Sequence, residues 1–343
     1  MRKKRRRKKT ADEIESLDKR IRVLLWERYG NTLAELEKIG NGVVNEFREW
    51  TPLKLLALSY FVGPYLRIMK GLEERYGSTK VFYIDVFAGT GLNKVEDVLF
   101  AGSPLVAIDC AHQCERKFDL MIFNDLFYGK VLENRIKALT DLFPWLEGKF
   151  IVYSTDANKV LADVVEKYLA KEKYKNYLAF IDPYRSEIKW KALEKLLRIK
   201  HGDVFITCQA RSIAREIGGC RKGLKREVCR ELAEYFGEDP SVWMRLESEE
   251  EVRDFYIAKV NRHKPFVECI TIRSGRVGKG FEYVLIFASG DDNPDWAPLI
   301  QNLKRTVESY SGDLVKASME WLKGKQPRID DYSKPDLSRW GFV

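Results

Sequence analysis

Histidine is nearly absent from this chain, with three in 343 residues, and none of its six cysteines belongs to a C-x-x-C pair. Cys110, Cys114, Cys208, Cys220, Cys229 and Cys269 therefore lack the spacing of a zinc cluster, and no metal is expected. No disulfide framework is expected either; the cysteines read as small buried hydrophobes. Long apolar runs are missing as well. None approaches the roughly 20 residues that cross a bilayer, and no secretory pattern is present, so a cytoplasmic protein with no membrane partner is expected. What the chain has is positive charge, +9 net, and much of it is local. Arg2, Lys3, Lys4, Arg5, Arg6, Arg7, Lys8 and Lys9 form an unbroken cationic run, without which the 60 basic residues fall almost level with the 51 acidic ones. Such a run is either a solubilising tail or an arm that neutralises phosphates with sequence-blind, salt-dependent affinity. The arm, and a nucleic-acid partner with it, is the reading adopted.

The chain divides into a basic tail (1–9), a helical segment (10–78), an α/β domain (79–310) and a C-terminal helix and tail (311–343). Thr10 and Glu13 have capping-box spacing, opening a helix with Ile14, Leu17, Ile21, Leu24 and Leu25 on one stripe. A second helix is expected from Leu33 to Trp50. A third opens at Thr51-Pro52, with proline at the first helical position, and runs towards Tyr76. From Val81 strands alternate with helices: strands over 81–87, 120–124, 150–154, 177–181 and 203–207, helices after each. Phe266–Arg273 and Glu282–Ala288 then alternate like an antiparallel hairpin around SGRVGKG. The fold class is α/β, a Rossmann-like sheet of five parallel strands closed by an antiparallel hairpin.

The chain is organised around Val81–Gly91, VFYIDVFAGTG. A buried strand runs into a turn of small residues, where no side chain keeps a ligand from the backbone. That is how an open parallel sheet presents its carboxyl edge to a nucleotide-like ligand. Lys94 stands where the dinucleotide fingerprint needs its third glycine, so that fingerprint fails. Four successive strands place an acid at this edge: Asp85, Asp125, Asp156 and Asp182. Asp156 also reads as a simple cap of the following helix.

The D-x-F-A-G-T-G stretch resembles motif I of the class I S-adenosyl-L-methionine-dependent methyltransferases. The resemblance implies a cofactor held by Asp85, Phe87, Ala88, Gly89, Thr90 and Gly91, with Asp85 towards its ammonium. Asp125 would accept the ribose hydroxyls, and Asp156 and Ala157 would hold the adenine. The longer spacing between Asp85 and Asp125 lies in Leu92–Gly102, an insertion free to fold over the cofactor. Asp182-Pro183-Tyr184 is similar to the D/N/S-P-P-Y/F/W motif of methyltransferases acting on exocyclic base amines, one proline short. Such an amine is a poor nucleophile because its lone pair is delocalised into the ring. Asp182 and the Pro183 carbonyl would hold its two N–H bonds, and Tyr184 would stack on the base. Together F-A-G-T-G, Gly102–Pro104, Phe180–Tyr184 and Tyr283–Ser289 resemble the three-Cys-motif partner (TcmP-like) proteins over roughly residues 50–290, which implies the fold and hardly the substrate.

Thr207-Cys208-Gln209 offers a competing site, since RNA cytosine C5 methyltransferases carry a T-C-S nucleophile there. No second cysteine follows the preceding strand, so a buried structural Cys208 is favoured. Arg211, Arg215, Arg221, Lys222, Lys225, Arg226 and Arg230 cluster after the fifth strand, and with Arg211 and Arg215 nearest the sheet edge they read as a phosphate groove. The expected function is S-adenosylmethionine-dependent methylation of an exocyclic amine in structured RNA (ribosomal or transfer), cytosine placed ahead of adenine. The alternative is an RNA-binding, ribosome-assembly factor that kept the fold and lost turnover.

Overall fold

The computed structural model describes residue 17 and residues 20–47, 51–223, 226–274, 282–291, 296–310 and 312–322. The basic tail, the Thr10–Glu13 cap and most of the glycine-rich SGRVGKG turn lie outside them. In chain order the elements are α1 (Thr32–Ile39), β1 (Asn45–Glu46), α2 (Thr51–Tyr76), β2 (Lys80–Asp85), β3 (Leu92–Val95), β4 (Val98–Ala101), α3 (Ser103–His112) and β5 (Leu120–Asn124). Then come α4 (Gly129–Ala138), β6 (Phe150–Tyr153), α5 (Ala157–Val164), β7 (Lys175–Ile181), α6 (Trp190–Leu197), β8 (Asp203–Cys208) and α7 (Ala210–Arg221). The chain finishes with α8 (Arg226–Phe236), α9 (Pro240–Trp243), α10 (Glu249–Asn261), β9 (Phe266–Arg273), β10 (Glu282–Ser289), α11 (Ala297–Glu308) and α12 (Gly312–Leu322).

Seven strands form one sheet in the order β6-β5-β2-β7-β8-β10-β9. The first five run parallel, and β10 inserts antiparallel between β8 and β9. This is the Rossmann-like class I methyltransferase sheet expected from the sequence. The central strands are continuous apolar runs because helices cover both faces, leaving no side of β2 or β8 for water. One covering layer packs α2, α3 and α11 on the sheet, with Phe61 between Phe205 and Phe287 at 5.3 and 5.0 Å. The other layer holds α5, α6, α7, α8 and α10, where Tyr235 stacks on Tyr256 at 4.9 Å.

Several elements differ from the sequence expectation. The helix foreseen over Leu33–Trp50 stops at Ile39, because Asn41 and Gly42 take positive φ in the Gly40-Asn41-Gly42 turn. A Cβ on Gly40 would also lie 2.3 Å from a guanidinium nitrogen of Arg135, which passes there. The insertion after the glycine turn is a hairpin, β3 and β4, closed at its base where Gly102 N–H donates to Gly91 O at 2.8 Å. It pairs with β1, forming a second, three-stranded sheet at the carboxyl edge of the large one. Helices α8 to α10 had no counterpart in the sequence reading. Cys220 and Cys229 are joined in a disulfide, contrary to expectation, because the α7–α8 turn brings their Cα atoms to 5.6 Å.

Candidate functional site

The sheet reverses its strand order at β2, between β5 and β7, and a crevice opens at the carboxyl ends of those strands. Buried Asn124 fixes this edge. Its Nδ2 donates to Val86 O at 3.0 Å, and its Oδ1 accepts from Thr155 N–H at 3.2 Å, so the ends of β2, β5 and β6 share one side chain. The crevice is a cavity of about 320 Å³ whose wall includes Phe87, Gly89, Asp125, Asp156, Ala157, Asp182, Pro183 and Tyr184. These residues come from four stretches of the sequence and meet in one place.

Asp85, Ala88, Thr90 and Gly91 stand behind that wall. Asp85 is fully buried; its Oδ1 accepts from Phe87 N–H at 3.3 Å, while Oδ2 has no hydrogen-bond partner. Burial pushes its carboxyl up to about 7, against the pull of the Ser103 hydroxyl and Phe87 N–H and with the push of the Asp182 and Asp125 charges. Thr90 is spent on the protein: its N–H donates to Asn45 Oδ1, its hydroxyl to Leu92 O, and its carbonyl accepts from Arg135. Asn45 comes from β1, so the segment before the sheet packs directly on the glycine turn.

Asp125 Oδ1 accepts from Phe127 and Tyr128 N–H at 2.9 and 2.8 Å, shaping a turn that leaves Leu126 and Phe127 exposed on the cavity rim. Asp156 caps α5: its Oδ1 accepts from Asn158 N–H at 2.9 Å, so the capping role named for it is the one it fills. Asn158 also donates to Glu187 O and accepts from Lys189 N–H, tying this loop to the one after β7.

The loop after β7 is tied by hydrogen bonds to Glu187. Glu187 accepts the N–H of Tyr184 at 2.6 Å and of Arg185 at 3.4 Å, and Tyr184 presents its ring to solvent, 67% exposed, with the Arg185 guanidinium 5.5 Å from the ring centre. Asp182 is held from the far side by Lys54, in the first turn of α2, at 2.8 and 2.5 Å. No sequence signal marked Lys54, a lone lysine 128 residues away. A second cavity, about 710 Å³, shares Phe47, Lys54, Tyr184 and Gln209 with the first and adds Arg185, Thr207, Ser212, Arg215 and Tyr283. Tyr184 thus borders both cavities, while Asp182 and Pro183 line the crevice.

Cys208 lines neither cavity. It is fully buried and its thiol is pushed up to about 12 by that burial, with the Tyr235 hydroxyl 4.0 Å away. Buried and away from both cavities, Cys208 has the surroundings of the structural cysteine favoured from the sequence. The basic cluster is divided. Arg215 lines the chamber and Arg211 sits exposed one turn earlier, but Arg221 and Lys222 lie at the far end of α7, roughly 18 Å along it. Arg221 pairs there with Glu247. Lys225 and Arg2 to Arg7 fall outside the described residues.

No family model and no curated protein matches the chain. Among solved structures it is similar to a Legionella pneumophila protein of the family DUF519, at 13% identity over 74% of this chain and 93% of that one, TM-score 0.43. It is also similar to human methyltransferase-like protein 13 in complex with SAH, at 11% identity over 75% of this chain and 89% of that one, TM-score 0.34. At this distance neither likeness assigns a residue.

Proposed function

We propose that this chain is an S-adenosyl-L-methionine-dependent methyltransferase acting on an exocyclic base amine of structured RNA, ribosomal or transfer. The observation that carries the reading is the meeting of the two cavities at Tyr184: Asp182 and Pro183 line the crevice at the glycine turn, and Tyr184 borders both that crevice and the open chamber. The residues present fit the cofactor. Three carboxylates, Asp85, Asp125 and Asp182, interact electrostatically around the crevice with Lys54 as a single paired cation among them. That excess of negative charge suits a ligand bearing a sulfonium and an ammonium. Asp85 Oδ2 is a buried acceptor with no donor, and Gly89, at φ +59°, lets the backbone come close. When bound, the cofactor supplies a methyl group made electrophilic by the sulfonium.

The chain's own residues do the rest. Asp182 and the Pro183 carbonyl accept the two N–H bonds of the amine, which favours the pyramidal nitrogen that can attack. Lys54 holds Asp182 in place, and Glu187 fixes the Pro183–Tyr184 peptide by accepting from Tyr184 N–H. Tyr184, with Arg185 beside it, provides a stacking face for an unpaired base, a mode in which RNA is commonly read. Arg215 and the basic tail supply phosphate contacts in this reading.

Asp125→Asn tests the cofactor half. Asparagine keeps the oxygen that shapes the turn and removes the ribose acceptor, so S-adenosylmethionine affinity should fall by about 1–3 kcal/mol in isothermal titration. A wild-type chain that binds no S-adenosylmethionine sinks the enzyme reading and leaves the RNA-binding assembly factor.

Asp85 adds a pH dependence. A cationic ligand favours the ionised carboxylate, and Asp85 becomes neutral as pH falls through about 7. Affinity for S-adenosylmethionine should therefore drop by up to about tenfold per pH unit below 7, and Asp85→Asn should flatten that curve. A wild-type affinity constant between pH 5.5 and 7 would contradict the role given to Asp85.

A further inference from the structure

The acceptor carbonyl that this chemistry needs already has a donor. Gln209, at the start of α7, lies on the partition between the two cavities, and its Nε2 donates to Pro183 O at 3.4 Å. A carbonyl only accepts, so the contact fixes the amide: nitrogen towards Pro183, oxygen away. Pro183 O keeps a second lone pair and Nε2 a second N–H. Two residues earlier, Thr207 lines the chamber with its hydroxyl buried, 3% exposed and without a hydrogen-bond partner. The end of β8 therefore offers polar groups to whatever enters beside Pro183.

Resting on the methyltransferase reading above, we propose that Gln209 selects the acceptor base through its second N–H, which donates to a ring nitrogen adjacent to the exocyclic amine. With the amine also on Pro183 O, the carbonyl, the carboxamide and the base edge close one hydrogen-bonded ring. The substrate class is then a base that carries an amine beside a ring lone pair: N4 with N3 in cytosine, or N6 with N1 in adenine. Uracil and hypoxanthine present a carbonyl beside an N–H at the same positions, and would set donor against donor at Gln209. Glutamine does this where glutamate would not, because a carboxylate opposes both the Pro183 carbonyl and the ring lone pair.

The test uses the full chain saturated with S-adenosylhomocysteine and labelled uridine octamers carrying one central C, A, U or inosine, read by fluorescence anisotropy. Wild type should bind the C or A octamer about tenfold more tightly than its U or inosine counterpart. Gln209→Leu should narrow each preference by about fivefold, the remainder being what Asp182 and the Pro183 carbonyl impose through the amine, and Gln209→Glu, which accepts the ring N–H of U or inosine, should narrow it at least as far. Homocysteine-analogue affinity is measured by titration for every variant. A wild type that binds S-adenosylhomocysteine but shows no such preference, or variants that keep it undiminished, overturn the role of Gln209. A wild type that binds no S-adenosylhomocysteine instead overturns the methyltransferase reading beneath it.

Discussion

Asp182→Ala is expected to lower methyl transfer by about 10²–10³-fold, the usual consequence of removing one preorganised hydrogen-bonding group at the reacting atom. The measurement is incorporation of labelled methyl groups into RNA from cells lacking this protein, with titration of S-adenosylhomocysteine alongside. Asp182 sits at the end of β7 because a buried strand ends where the chain turns to water, and its carboxylate, 20% exposed, lines the crevice. Its bond to Lys54 complicates the substitution, since alanine strands an ammonium that is only 11% exposed. Asp182→Ala combined with Lys54→Met removes that charge. If the double variant recovers the wild-type rate, the single loss came from the stranded cation and Asp182 orients nothing. If it stays slow while cofactor affinity is kept, the carboxylate acts on the acceptor amine.

How much of this site could be read in the sequence depends on the kind of partner each residue has. Asp85, Asp125 and Asp182 were legible because a buried parallel strand is a continuous apolar run, and an acid that ends it stands at the ligand edge by the geometry of the fold. Asp156 carried two meanings in the sequence, and in the structure its oxygen is occupied as a helix cap. Lys54, Asn45 and Gln209 act through long-range contacts that no local pattern encodes. The helix placed over 33–50 failed for a reason that was visible: Gly40-Asn41-Gly42 is a turn signal, and the apolar periodicity was allowed to override it. Helices α8 and α10 are hard to read because they carry many charged residues and bury few apolar positions, Leu232, Tyr235 and Phe236 in one and Val252, Tyr256 and Val260 in the other.

The largest loss of stability is expected at Arg135, which no sequence pattern marks because it donates to three backbone carbonyls. The side chain is fully buried, and burial lowers its guanidinium to about 10, which still leaves it charged at neutral pH. Nε donates to Leu36 O at 2.8 Å, Nη1 to Thr90 O at 2.8 Å and Nη2 to Val43 O at 2.7 Å. One planar fork thus joins α1, the turn before β1 and the glycine turn, a span that the single ammonium of lysine does not match. Arg135→Met keeps the volume and leaves three carbonyls without their donor. The cost should be about 3–5 kcal/mol in denaturant unfolding, or a Tm lower by roughly 10 °C. Because Thr90 belongs to the glycine turn, cofactor affinity should fall in the same variant, and unfolding followed by S-adenosylmethionine binding should coincide with unfolding followed by helix content. A cost below about 1 kcal/mol would mean that water replaces the guanidinium at those carbonyls. Two separated transitions would mean that the segment before β2 folds apart from the sheet, and that Asn45 and Lys54 reach the site only as visitors.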